Sequence, residues 1–248
     1  MILSWKHKFI FIKGRKVGGT SIEMALSTIC GPNDIVTPIT LIDEKQRITQ
    51  GGRCQNYSDS KDDEKKYLSN IEKMPNNKLD KTKIADGKYY NHMPLTEVVR
   101  LSRCDLNDFF IFCVERNPYS KIISWANMAF SFEYYKIGQD KIADMEEISS
   151  LIDRSLVNGS ILKLKNIDLY KYHSKVVAHV LQNENLQDNF INLLKKLKIG
   201  TNITLPHAKK GIMANKLDPL DFLSKNHLLK INEFFREEFD TFGYKTID

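Results

Sequence analysis

No apolar run in the 248 residues approaches the roughly 20 needed to span a bilayer as a helix, and the longest near the start is Phe9-Ile10-Phe11-Ile12. That run is also too short for a secretory signal, and no small-residue cleavage site follows it. A soluble, cytoplasmic chain without a membrane span is therefore expected. Cysteine is scarce: Cys30, Cys54, Cys104 and Cys113 lie far apart, with no CxxC pair and no histidine at zinc-finger spacing. This spacing argues against a disulfide framework or structural zinc and suits reduced thiols. There is no internal repeat of solenoid type. Hydrophobic residues at 42% and charged residues at 27% exclude wholesale disorder and collagen-like structure. Nor is there a large excess of one charge, since 37 basic residues against 31 acidic leave +6. Such an excess suits an anionic small ligand or polyanionic acceptor as well as nucleic acid; the basic residues are dispersed and no nucleic-acid motif is present, so no nucleic-acid partner is expected. A chain of this length can bury roughly 70–75% of its unfolded surface, enough for a core without staples.

What is present is a strand-and-helix alternation. Residues 8–13 (Lys-Phe-Ile-Phe-Ile-Lys) have the pattern of a buried strand. A glycine-bearing turn spans Gly14 to Gly19, and from Thr20 onward Ile22, Ala25, Leu26 and Ile29 recur at helical spacing until Gly31-Pro32. A second unit of the same kind starts at Asp108. The nearly unbroken run Phe109 to Val114 reads as a strand covered on both faces, as in a parallel sheet. Pro118 can open the helix that follows, Tyr119 to about Phe132. Residues 139–157 read as a helix, Val176 to Leu181 as a strand, Leu186 to Leu197 as an amphipathic helix and Ile231 to Phe239 as a closing helix. Between the two strand–loop–helix units, residues 43–88 are polar and charge-rich, the mark of a lid or insertion. The expected fold is α/β: one domain over residues 1–248, with a central parallel sheet flanked by helices.

The segment Lys13-Gly14-Arg15-Lys16-Val17-Gly18-Gly19-Thr20-Ser21 lies between the first strand and its helix. Backbone N–H groups and the positive helix end converge there, which makes an anion site. Gly18 and Gly19 permit close backbone approach, Thr20 and Ser21 add hydroxyl donors, and Arg15 and Lys16 add full charges. A nucleotide-binding Walker loop needs Gly, four residues, then Gly-Lys-Ser/Thr. Counted from Gly14 the second glycine is Gly19, but Thr20 stands where that lysine belongs, and the cation precedes the glycine pair. Arg116 follows the second strand, at the carboxyl end where open α/β sheets bind ligands, and Ser124 lies within the first turns of the next helix. An arginine fork with a hydroxyl suits a terminal phosphate.

Lys16-Val17-Gly18-Gly19-Thr20-Ser21 resembles the 5′-phosphosulfate loop of the sulfotransferase superfamily, roughly Lys-Thr-Gly-Gly-Thr-Ser. Arg116-Asn117-Pro118 followed by Ser124 is similar to that superfamily's 3′-phosphate motif, in which a serine stands eight residues after the arginine. Weaker echoes are Glu184-Asn185-Leu186, Leu205-Pro206-His207 and Phe239-Asp240-Thr241-Phe242-Gly243-Tyr244. They look most like the Golgi-type carbohydrate branch and its bacterial and viral relatives. The resemblance touches most of the chain except residues 43–88, where acceptor choice would then lie. It implies a P-loop-like sulfotransferase fold. It implies an enzyme that uses 3′-phosphoadenosine 5′-phosphosulfate as donor and leaves 3′-phosphoadenosine 5′-phosphate as product. The acceptor would be a hydroxyl, less readily an amine, of a carbohydrate or another small molecule. Lys209 and Lys210, in Lys209-Lys210-Gly211, are similar in composition to a late Arg-Lys-Gly segment that closes over the 3′-phosphate in cytosolic members.

Under that resemblance Lys16 would sit at the bridging oxygen, where charge develops on the leaving group. No metal is called for, and the sequence holds no His/Asp/Glu cluster for one. For a hydroxyl acceptor, His92 in Tyr90-Asn91-His92-Met93-Pro94 is the candidate base. It precedes a helix expected from Pro94, whose positive end disfavours imidazolium. Glu97 and Glu23 are reserves. Two other readings stand beside this one: a P-loop-type kinase or NTPase with an atypical loop, and a non-catalytic nucleotide- or nucleic-acid-binding module.

Overall fold

Trp5 to Lys8 is too short for a parallel crossover. The strands on either side, β1 (Ile2–Ser4) and β2 (Phe9–Ile12), therefore fold back as a hairpin with Leu3 opposite Ile10. The structure, a computed structural model, describes residues 1–136, 141, 143–200, 203–206 and 221–247. The chain divides into two units. One comprises Met1–Gly14, Gly18–Val114 and Asp168–Lys209; the other comprises Arg15–Val17, Glu115–Ile167 and Lys210–Asp248.

Following the chain, β2 leads into α1 (Gly19–Ser27), with Ile22, Ala25 and Leu26 buried as their spacing requires. Then come β3 (Ile35–Val36), α2 (Leu41–Thr49), α3 (Lys61–Lys73), α4 (Leu95–Ser102) and β4 (Phe110–Glu115). The second unit takes up α5 (Pro118–Lys136) and α6 (Met145–Val157), which begins on a capping box between Asp144 and Glu147. The first unit resumes with a small antiparallel pair, β5 (Lys171–Tyr172) and β6 (Lys175–Val176). β7 (His179–Gln182) and α7 (Leu186–Lys196) follow. In the second unit α8 (Lys225–Phe234) and α9 (Arg236–Phe242) come last.

Among the described residues the main sheet runs β3-β1-β2-β4-β7. Only β2, β4 and β7 are parallel, so the sheet is mixed where a wholly parallel one was expected. The reason is local: β1 reaches β2 through a tight turn and pairs on its other side with β3, antiparallel in both cases. The expected pair of buried strands does lie side by side. β2 and β4 run parallel from Phe9 opposite Phe110 to Ile12 opposite Cys113, with the Phe11 and Phe112 rings stacked at 5.1 Å.

Residues 43–88, expected as a polar lid or insertion, contain most of α2 and all of α3, packed on each other in the first unit. Of the apolar residues there, Cys54, Tyr57, Ile71 and Leu79 are buried. So are Glu44, Arg47 and Glu64: Arg47 donates to Glu44, Glu44 accepts the Cys54 amide, and Glu64 accepts the Asn56 and Ser58 amides. The stretch expected as one strand from Val176 to Leu181 is divided between β6 and β7, and the expected closing helix is interrupted at Phe235. The second unit is helical. Its core joins Tyr119, Ile122 and Ala126 of α5, Ile148 and Ile152 of α6, and Leu228, Ile231, Phe235 and Phe239 from the end of the chain. No helix among the described residues is long and apolar enough to cross a membrane.

Candidate functional site

The loop after β2 is shaped by a buried ion pair. Lys13 turns inward, 4% exposed, and its ammonium meets Glu23 of α1 at 2.7 Å, which anchors the helix to the strand that precedes it. Beyond Gly14 the backbone enters left-handed conformations, with φ of 60° at Lys16 and 79° at Gly18. Val17 between them is fully buried. The α1 N-terminus begins at Gly19 with no side-chain cap and no acidic residue in its first turn, and Thr20 and Ser21 stand there half-buried. An uncapped N-terminus with two hydroxyls presents donors and partial positive charge to an anion.

The two glycines have a packing reason as well. A Cβ on Gly18 would lie 2.6 Å from Asn183 Nδ2, and one on Gly19 would lie 2.9 Å from Lys13 Cγ. Asn183, just past β7, is thus a neighbour of the loop that sequence reasoning missed; the nearest signal was Glu184-Asn185-Leu186, one position on. A second missed residue is the fully buried Asn166. Its Oδ1 accepts from the Arg15 amide at 2.7 Å and its Nδ2 donates to the Arg15 carbonyl at 3.1 Å. Lys16 extends within the second unit, Nζ to Met128 Sδ at 3.3 Å. Sulfur is a weak acceptor, so this contact orients the ammonium without neutralising it.

Arg116 directly follows β4. Its amide donates to Glu115 Oε2 at 3.0 Å, and Asn117 Oδ1 accepts from the Tyr119 amide at 3.0 Å, capping α5 where Pro118 opens it. Ser120, Ser124 and Met128 recur at four-residue spacing on α5 and share one helix face. The sulfur on which Lys16 rests is therefore one turn beyond Ser124. Lys16, Arg116 and Ser124 all belong to the second unit.

His92, half-buried and left-handed at φ 59°, has Nδ1 3.1 Å from the Lys13 carbonyl. A carbonyl can only accept, so Nδ1 carries the hydrogen and Nε2 of the neutral ring holds the lone pair. The expected helix opens two residues later, with Pro94 as N-cap of α4. The reserve bases fare differently. Glu23 is fully buried, accepting from Lys13 and from the Met1 amine at 2.6 Å. Burial pushes its carboxyl up, but the Lys13 charge and then the amine outweigh this and hold it at about 2. It is out of reach of an acceptor. Glu97 lies on the surface of α4, where its hydrogen bonds with Arg100 (2.6 and 3.1 Å) hold its carboxyl below the usual range.

Lys209 and Lys210 lie outside the described residues. Among the described residues no group of three or more His, Cys, Asp or Glu side chains could hold a metal ion. Burial pushes the thiols of Cys30 and Cys54 up, so neither is a thiolate near neutral pH. Comparison with protein-family models, with curated proteins and with solved structures found no match to this chain.

Proposed function

We propose that the chain is a sulfotransferase that moves a sulfuryl group from 3′-phosphoadenosine 5′-phosphosulfate to a hydroxyl of a carbohydrate or other small acceptor. The observation that carries this reading is the contact of Lys16 with Met128, one helical turn beyond Ser124 on α5. The cation of the first motif thereby lies along the helix that bears the serine of the second. Support also comes from the sheet: the two motifs follow β2 and β4, parallel neighbours whose ends pair Ile12 with Cys113. The chemistry of each unit suits an anion: in the first, an uncapped α1 N-terminus with two hydroxyls and no acidic residue in its first turn; in the second, Arg15, Lys16 and the Arg116 fork.

On this reading the donor supplies an activated S–O bond. Thr20, Ser21 and the loop amides bind the 5′-phosphate; Arg116 and Ser124 bind the 3′-phosphate. His92 Nε2 takes the acceptor proton as the acceptor oxygen bonds to sulfur. The bond from sulfur to the phosphate oxygen breaks, and Lys16 stabilises the charge left on that oxygen. Acceptance at Nε2 is possible because Lys13 O already holds the Nδ1 hydrogen.

The test is a thermal-shift series. A ligand that binds only the native state raises the melting temperature. 3′-Phosphoadenosine 5′-phosphate should do so without magnesium. Adenosine 5′-phosphate, ATP with magnesium and an oligonucleotide should do so much less, and the Arg116→Ala protein should lose most of the response. His92→Ala should bind donor normally but turn over about 10²-fold or more slowly. Equal shifts with and without the 3′-phosphate would remove Arg116 and Ser124 from their roles, and stabilisation by ATP with magnesium alone would reject the reading.

A further inference from the structure

A buried chain of hydrogen bonds, wholly inside the second unit, joins the backbones of the two candidate anion-binding segments. At one end Asn166 clasps both backbone groups of Arg15, at 2.7 and 3.1 Å. The amides of Asn166 and Ile167 donate to Glu238 Oε1 at 2.5 and 3.2 Å. Glu238 Oε2 accepts from Lys121 Nζ at 2.5 Å, and the same ammonium donates to Glu115 Oε2 at 3.1 Å. That Glu115 oxygen accepts the Arg116 amide at 3.0 Å, which is the other end. The two carboxylates and the ammonium between them are fully buried, and the Phe235 ring lies 5.5 Å from Lys121 Nζ.

Three buried charges are a poor way to gain stability, because desolvation offsets their attraction and apolar packing would serve as well. What this arrangement supplies is geometry. Every hydrogen-bonding group is directional, and both ends terminate on main chain beside a cation of the proposed site. We propose that Asn166, Glu238, Lys121 and Glu115 are positioning residues that hold the Arg15 and Arg116 backbones in one frame. They thereby set the spacing at which Lys16 and the Arg116 fork meet a ligand carrying two separated phosphates. The ligand half of this proposal rests on the sulfotransferase reading; the shared frame does not.

The experiment compares Glu238→Ala with Glu238→Gln, which keeps an acceptor for the Asn166 and Ile167 amides. Two readouts are used: residue-resolved amide exchange of the free protein, and calorimetric titration with 3′-phosphoadenosine 5′-phosphate. Alanine should speed exchange at both the Arg15 and Arg116 amides about tenfold or more and weaken nucleotide binding about tenfold, while glutamine, whose amide nitrogen cannot accept from Lys121, should keep the Arg15 amide within about threefold and speed exchange at Arg116. Ile152→Ala, in the α6 core, should lower the melting temperature without moving either readout relative to the rest of the unit. If Glu238→Ala does not fold, Asn166→Ala should give faster exchange at Arg15 together with weaker binding. Wild-type exchange at either amide in Glu238→Ala overturns the shared frame. Altered exchange with unchanged affinity overturns its role in binding. A wild-type protein that does not bind the nucleotide rejects the sulfotransferase reading instead, and faster exchange in the alanine variant would still support the frame.

Discussion

Gly18 shows how one residue can carry a conformational and a chemical argument together. Its φ of 79° is available to glycine at little cost, and a Cβ there would press on the Asn183 carboxamide at 2.6 Å. The end of an asparagine side chain can move aside, so backbone strain would dominate the cost of a substitution. Gly18→Ala should therefore destabilise the protein by about 1–3 kcal/mol, read by urea denaturation. An unchanged midpoint would mean the loop relaxes freely. The glycine pair, its hydroxyls and the two cations were legible in the sequence because they are contiguous. Asn183 and Asn166 were not, since nothing local marks a side chain that meets the loop from a distant segment. Glu23 illustrates the opposite error: its type suggests a base, but only the fold shows it sealed against Lys13.

Elements were legible where burial imposed a pattern on enough consecutive residues. β2, α1, β4, α5 and α7 all stand where apolar periodicity put them. β1 and β3 span only Ile2–Ser4 and Ile35–Val36, too short for a periodicity to register, and their antiparallel pairing makes the sheet mixed. α2 was hidden for another reason, because its buried face is charged. Arg47 is fully buried, donating from Nε to Glu44 at 2.9 Å, from Nη2 to the same carboxylate and from Nη2 to Thr37 O at 3.1 Å. Glu44 also accepts the Cys54 amide at 3.0 Å. Removing one partner leaves a buried charge uncompensated. Arg47→Met should thus cost about 3–5 kcal/mol, and the double change Glu44→Gln/Arg47→Met should recover much of that. Equal losses in the single and double variants, compared by urea denaturation, would show that the pair matters only as packing.

For the whole molecule, the buried Glu23 ties stability to pH. Lys13 is its stronger partner, since burial draws the Met1 amine down to about 6 despite the carboxylate beside it. A carboxyl held at about 2 against an ordinary 4.5 contributes stability that is fully present above about pH 4.5 and is lost as pH falls toward 2. The amount is on the order of 3 kcal/mol. Urea denaturation between about pH 6 and pH 2.5 should show this loss, and Glu23→Gln should flatten it; an equally steep fall in the variant would assign the loss to other carboxylates. By itself the sequence determined the strand–loop–helix units, the anion-suited chemistry of residues 15–21 and the second motif at Arg116 and Ser124, because these depend on neighbours along the chain. Only the tertiary structure decided the antiparallel edge of the sheet, the burial of Glu23, the tautomer of His92 and the link from Arg15 to Arg116 through Asn166, Glu238, Lys121 and Glu115. Those depend on which distant side chains share a dry interior, where a charge or amide must find a partner, and no local pattern encodes that.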